Sequence, residues 1–112
     1  PRLTSLFCSD NKLRELDLAL VPELIHLGCN DCGLSELDLS PVPGLMELDC
    51  EWNGLSSLDL SPVPKITHLD CHHNKIRELD ISKLQSLVNL NCYNRNDYGE
   101  QPSLIQRSDQ NF

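Results

Sequence analysis

The chain has 112 residues, a formal net charge of −8 and a pI near 4.7. That length makes one domain with a modest core and leaves no room for two. The acidic balance argues against a nucleic-acid backbone or an anionic membrane surface as partner, and no apolar run approaches the ~18 residues that a bilayer span needs.

In chain order, one pattern recurs every 21 residues. Pro1 falls at the twentieth place of a preceding unit, and because Met does not open the chain, a segment ahead of it can have been removed. The first copy, residues 3–23, places Leu3, Leu6, Cys8, Asn11, Leu13, Leu16, Leu18 and Val21 at places one, four, six, nine, eleven, fourteen, sixteen and nineteen. L-x-C alternates with period two and reads as a short strand with its leucine and cysteine turned inward. Asn11 ends it with an amide able to bond backbone groups of adjacent turns. The second copy, residues 24–44, keeps the pattern, except that Cys32 stands at place nine and forms C-x-x-C with Cys29. The third, residues 45–65, and the fourth, residues 66–86, restore Asn53 and Asn74. A partial fifth starts at Leu87 and fades where Arg95 and Asp97 replace the Asn and Leu of the pattern. The array is thus read as residues 1–96, with four full copies over 3–86. Residues 97–112 form a weak C-terminal cap and frayed tail.

Twenty-one residues cannot bury their own apolar face, so each unit must stack on its neighbours, and the strands then lie side by side in a parallel sheet about 4.8 Å apart. Pro22, Pro43 and Pro64 suit a bend better than a long helix. The C-x-x-C is explained column by column. Cys29 belongs to the column of Cys8, Cys50, Cys71 and Cys92, and Cys32 occupies the asparagine column. Thiols stacked at strand spacing are too far apart for the ~3.8 Å between Cβ atoms that a disulfide prefers, so they act as small apolar fillers. A zinc site needs more ligands than one such pair, and the 21-residue period excludes the βαβ setting of a thioredoxin-like dithiol.

The phased leucines, the place-six cysteines and the Asn or Cys at place nine resemble the leucine-rich-repeat family, and in particular its short bacterial type. The resemblance implies an α/β-type repeat solenoid, mostly strand and irregular, forming a right-handed horseshoe arc with a parallel sheet on the concave face. It also implies a non-enzymatic protein–protein interaction module without cofactor or metal. Such repeats occur in larger bacterial proteins, among them internalin-like surface adhesins and secreted host-directed effectors. The compartment, bacterial cytoplasm or cell exterior, stays open, because buried thiols survive in either.

Places three, five, seven and eight point outward from the strand and are free of core duty. They hold all four histidines and six acids, and no Lys or Arg. The basic residues Lys12, Arg14, Lys75 and Arg77 fall instead at places ten and twelve. Exposed aromatics amid acids suit an interface. The candidate partner-binding residues are Phe7, Glu47, Asp49, Glu51, Trp52, His68, Asp70, His72 and Tyr93, with a basic protein surface as the complement. The bare N-terminal end offers a second surface, for end-to-end self-association. Two rival chemistries use the same face. His68 and Asp70, with Glu47 and Asp49 on the next strand, are a candidate metal or hydrolytic centre, and the clustered acids could raise the histidines' proton affinity and make binding depend on pH. The stacked carboxylates Asp17, Asp38, Asp59 and Asp80 precede turns, where Asp accepts backbone N–H bonds.

Overall fold

The structure, a computed structural model, describes residues 2–94 and 101–112. Pro1, Arg95 and Asp97, and with them the boundary drawn between array and tail, lie outside those residues. Each coil contributes one three-residue strand to a parallel sheet: β1 (Ser5–Phe7), β2 (His26–Gly28), β3 (Glu47–Asp49), β4 (His68–Asp70) and, in the fifth coil, β6 (Asn89–Asn91). β5 (Glu78–Asp80) lies on the return side of the fourth coil and pairs with β7 (Ser103–Ile105). The register of the main sheet is the sequence period itself. Leu6, Leu27, Leu48, Leu69 and Leu90 are consecutive partners, each 21 residues from the next.

No helix occurs among the described residues, so the solenoid is strand and turn throughout. The return path is too short and too rich in proline for a helix. It closes with single turns, the N–H of Val21, Val42, Val63 and Leu84 donating to the carbonyls of Leu18, Leu39, Leu60 and Ile81 at 3.0–3.1 Å. Asp17, Asp38, Asp59 and Asp80 each accept the N–H two residues on, at 2.9–3.0 Å. Ser61 and Ser82 add their hydroxyls to Asp59 and Asp80. These bonds hold the Asp38, Asp59 and Asp80 carboxyls below the usual carboxylate range. The column caps turns.

Inside, the strand leucines Leu27, Leu48 and Leu69, the return-side Leu39, Leu60 and Ile81, and Val42 and Val63 are buried with Cys29, Cys50 and Cys71, while Leu6 and Leu90 in the outermost coils are partly buried. Burial of each leucine contributes roughly 1.5–3 kcal/mol. All six cysteines are free thiols, Cys29 and Cys32 included. Burial pushes the thiols of Cys29, Cys50 and Cys71 well above their ordinary titration range, which keeps them protonated and unreactive. Beneath the sheet edge runs a ladder of amides. Asn74 Oδ1 accepts the Leu55 N–H at 3.0 Å, and its Nδ2 faces the carbonyls of Cys50, Cys71 and His72 at 2.9–3.3 Å. Asn53 does the same one coil earlier, accepting from the N–H groups of Cys32 and Leu34. Cys32 fills the rung before that with its thiol donating to the carbonyls of Cys8 and Asn30 at 3.2 and 3.4 Å.

The two ends differ. At the N-terminal end Leu3, Leu13 and Leu20 are exposed. At the other, residues 101–112 are no loose end. β7 extends the return side in register with β5, the Arg107 guanidinium reaches the Ser82 carbonyl, and Gln110 Nε2 donates to the carbonyls of Ile81 and Leu84 at 2.8 and 3.1 Å.

Candidate functional site

Parallel pairing at one fixed register turns each outward place into a column across the sheet. Place three reads Ser5, His26, Glu47, His68 and Asn89, and place five reads Phe7, Gly28, Asp49, Asp70 and Asn91. Backbone bonds continue past the strands, from the Cys50 N–H to the Asp70 carbonyl and from the Trp52 N–H to the His72 carbonyl, at 2.8 and 3.1 Å. They extend the alignment to places seven and eight, so Glu51, His72 and Tyr93 are neighbours, as are Trp52 and His73.

Place eight has a backbone of its own. Asp10, Asp31, Trp52 and His73 all sit in the left-handed region, with φ of 62°, 52°, 59° and 57°. Asp tolerates this conformation through local hydrogen bonding, whereas a bulky residue does so at a cost of about 1–3 kcal/mol. Trp52 accepts that cost and lies flat on the next coil's His73, with ring centroids 3.8 Å apart and planes 11° from parallel. His72 and His73 each reach Tyr93, at 5.0 and 5.2 Å between centroids. Trp52, His72, His73 and Tyr93 therefore form one aromatic surface over the third to fifth coils, with Trp52 45% exposed. His73 was not among the residues singled out from sequence. Its signal was available, since it follows Trp52 in the same column.

The remaining candidates divide into three groups. Glu47 lies between two histidines, 3.3 Å from His26 Nε2 and 4.0 Å from His68 Nδ1, all three about half exposed. His68 Nδ1 also meets the Thr67 hydroxyl at 2.8 Å. Asp49 is next to Asp70 in the register. Its carboxyl is held above the usual range by partial burial first, and then by the charges of Asp70 and Glu47. Phe7 stands apart on the first strand, two strands away from Asp49. It is 71% exposed, and its ring lies over Gly28, where a Cβ would come within 2.7 Å of it. Absence of a side chain at Gly28 gives that ring its resting place.

The donors that converge are not those around His68. Glu51, Asp70 and His72 bring one ligand atom each to within 4.8 Å of one another, the one such grouping of three among the described residues. Asp70 Oδ1 accepts from His72 Nδ1, and the His72 N–H lies 3.3 Å from the same oxygen. Glu51 Oε2 is shut off from solvent and has no hydrogen-bond partner. Desolvation raises the Glu51 carboxyl above its ordinary range. A concavity of about 880 Å³ lies elsewhere, in the turns around Arg14, Cys32, Gly33 and Asp38. Of its carboxylates, Asp17, Asp38 and Asp59 are already engaged in capping, which makes it a groove between coils and not a convergent site.

No protein-family model matches the chain, and no curated protein does. Among solved structures it is similar to the functional domain of InlJ from Listeria monocytogenes, a domain described as including a cysteine ladder. The TM-score is 0.77 and the identity 32%, over 80% of this chain. The chain spans 20% of the length of that structure. The five-membered stack of place-six thiols is the corresponding feature here.

Proposed function

Because the chain is a leucine-rich-repeat solenoid of the internalin type, we propose that it is a non-catalytic module that binds a protein partner on its sheet face, taken as the concave one. The observation that carries this reading is the strained place-eight backbone under Trp52. A coil needs a small or turn-forming residue there, and Asp10 and Asp31 supply one. The third and fourth coils instead hold an aromatic pair, with Trp52 exposed, His73 partly buried, and acids beside them. Strain of this kind persists at working surfaces, and interface hot spots are enriched in Trp.

The complement is a basic protein surface. Glu47, Asp49, Glu51 and Asp70 steer its approach, while Trp52, His72, Tyr93 and, further off, Phe7 provide contact area. His68 borders the same surface through Glu47. The chain would then be one segment of a larger bacterial repeat protein, a surface adhesin or a host-directed effector. Its test uses a partner captured on the immobilised chain and then measured in isolation. Trp52→Ala is expected to weaken that complex by about 2 kcal/mol, near thirtyfold, and raising the salt is expected to slow association. A partner held equally by the wild type, by Trp52→Ala and by Asp49→Asn would place the binding surface elsewhere.

A further inference from the structure

We propose that Glu51, Asp70 and His72 form a binding site for a first-row divalent cation of the manganese-to-zinc class. The repeat register builds the site. Asp70 and His72 are two residues apart at the end of one strand, and Glu51 occupies the place of His72 one coil earlier. Each therefore offers a ligand atom within 4.8 Å of the others. Two carboxylates and one imidazole are a hard-to-borderline donor set that suits manganese, iron, cobalt or zinc better than it suits a thiolate-seeking ion.

Three features separate this cluster from the rest of the acidic face. Glu51 Oε2 has neither solvent nor a hydrogen-bond donor, an arrangement that is costly for a carboxylate unless a positive charge compensates it. Asp70 Oδ1 accepts from His72 Nδ1, which already holds these two donors together. Shielding of the imidazole is the third. The His72 side chain is 14% exposed, with Tyr93 5.0 Å away and Trp52 6.5 Å away between centroids. By contrast Glu47 is half exposed, and both its oxygens already have histidine neighbours. Three protein ligands leave coordination positions for water, the open kind of site and not the closed structural kind.

Manganese is the probe of choice, because thiols compete for it poorly. The full chain is titrated with MnCl2 and the free ion is followed by its electron paramagnetic resonance signal. One equivalent is expected to bind saturably and to raise the unfolding temperature. Glu51→Gln and His72→Gln are each expected to lower the affinity by at least about tenfold, whereas Glu47→Gln, on the same face but outside the cluster, leaves it within about twofold. Both expectations apply to variants whose circular dichroism matches the wild type. Non-saturating uptake, or an equal loss in Glu47→Gln and Glu51→Gln, would mean diffuse attraction of cations to an acidic surface and would overturn the proposal. So would no uptake at all. Binding of the protein partner by Trp52→Ala is a separate measurement, so either proposal can fail alone.

Discussion

Places eight and nine are adjacent in every coil, yet they answer to different constraints. At place nine the side chain is drawn under the sheet, and Asn74, only 1% exposed, bonds to four backbone groups of two coils. Its chemistry is dictated by backbone that every coil presents, and so it repeats. At place eight the backbone is just as uniform, with four left-handed residues in four coils, but the side chain leaves the core. There the residue changes from Asp10 and Asp31 to Trp52 and His73. A solenoid of this kind therefore keeps its fold and its specificity one residue apart. Conformation is shared by both columns, and only one of them has a free choice of side chain.

The contrast can be broken most directly at Asn74. Asn74→Ala strands one N–H and leaves three carbonyls without their shared donor. We expect a loss of about 3 kcal/mol or more in urea unfolding; a loss below about 1 kcal/mol would show that the ladder is dispensable. Trp52→Ala probes the other column. Its stability should fall by only about 1 kcal/mol, from the lost stacking on His73, because alanine keeps the Cβ that makes the left-handed backbone costly, while partner affinity falls as described above. Asp31→Gly sharpens the backbone half of the comparison. Glycine adopts the left-handed conformation without penalty, so a gain of up to about 1 kcal/mol is expected, and a loss would mean that the Asp31 side chain does more than tolerate its place. The smallest effect is expected at Glu51, at place seven. Its carboxyl is raised by desolvation, so between its ordinary and its raised titration points the folded chain holds more protons than the unfolded one. Stability from this group thus falls as pH rises through that window and stays reduced above it. Glu51→Gln should be slightly more stable than wild type at pH 7, with the gap closing as the pH falls through that window. A gap independent of pH would sink this account.

Most of the fold is legible in the sequence because periodicity is a long-range statement made locally. Once Leu6, Leu27, Leu48 and Leu69 share a phase, the register of the sheet follows, and with it the fate of Cys29 and Cys32. The Asp17 column is equally readable, since D-x-[SA] ahead of a turn has one good hydrogen-bonding solution. The site was half legible. Columns told which residues face outward, including all nine candidates, but not which side chains meet. His68 and His72 both lie near Asp70 in the lattice of places, and only rotamers decide that His72 takes it. The left-handed backbone at place eight was hidden as well. Asp10 and Asp31 hint at it, while Trp52 and His73 conceal it. The docking of residues 101–112 has no periodic signal at all, for Gln110 and Arg107 act through single bonds to the carbonyls of Ile81, Leu84 and Ser82.

One consequence follows from the column of thiols. While the coils are wound, the sulfurs of Cys29, Cys50 and Cys71 are sealed in the core and held as the neutral acid, safe from oxidants on either side of a membrane. An unwound chain carries all six thiols bare, at intervals that let many wrong pairs join. Any oxidising surroundings therefore set a race in which winding must finish before the first crosslink forms, and every variant that slows winding should lose material to mispaired chains well before it loses equilibrium stability.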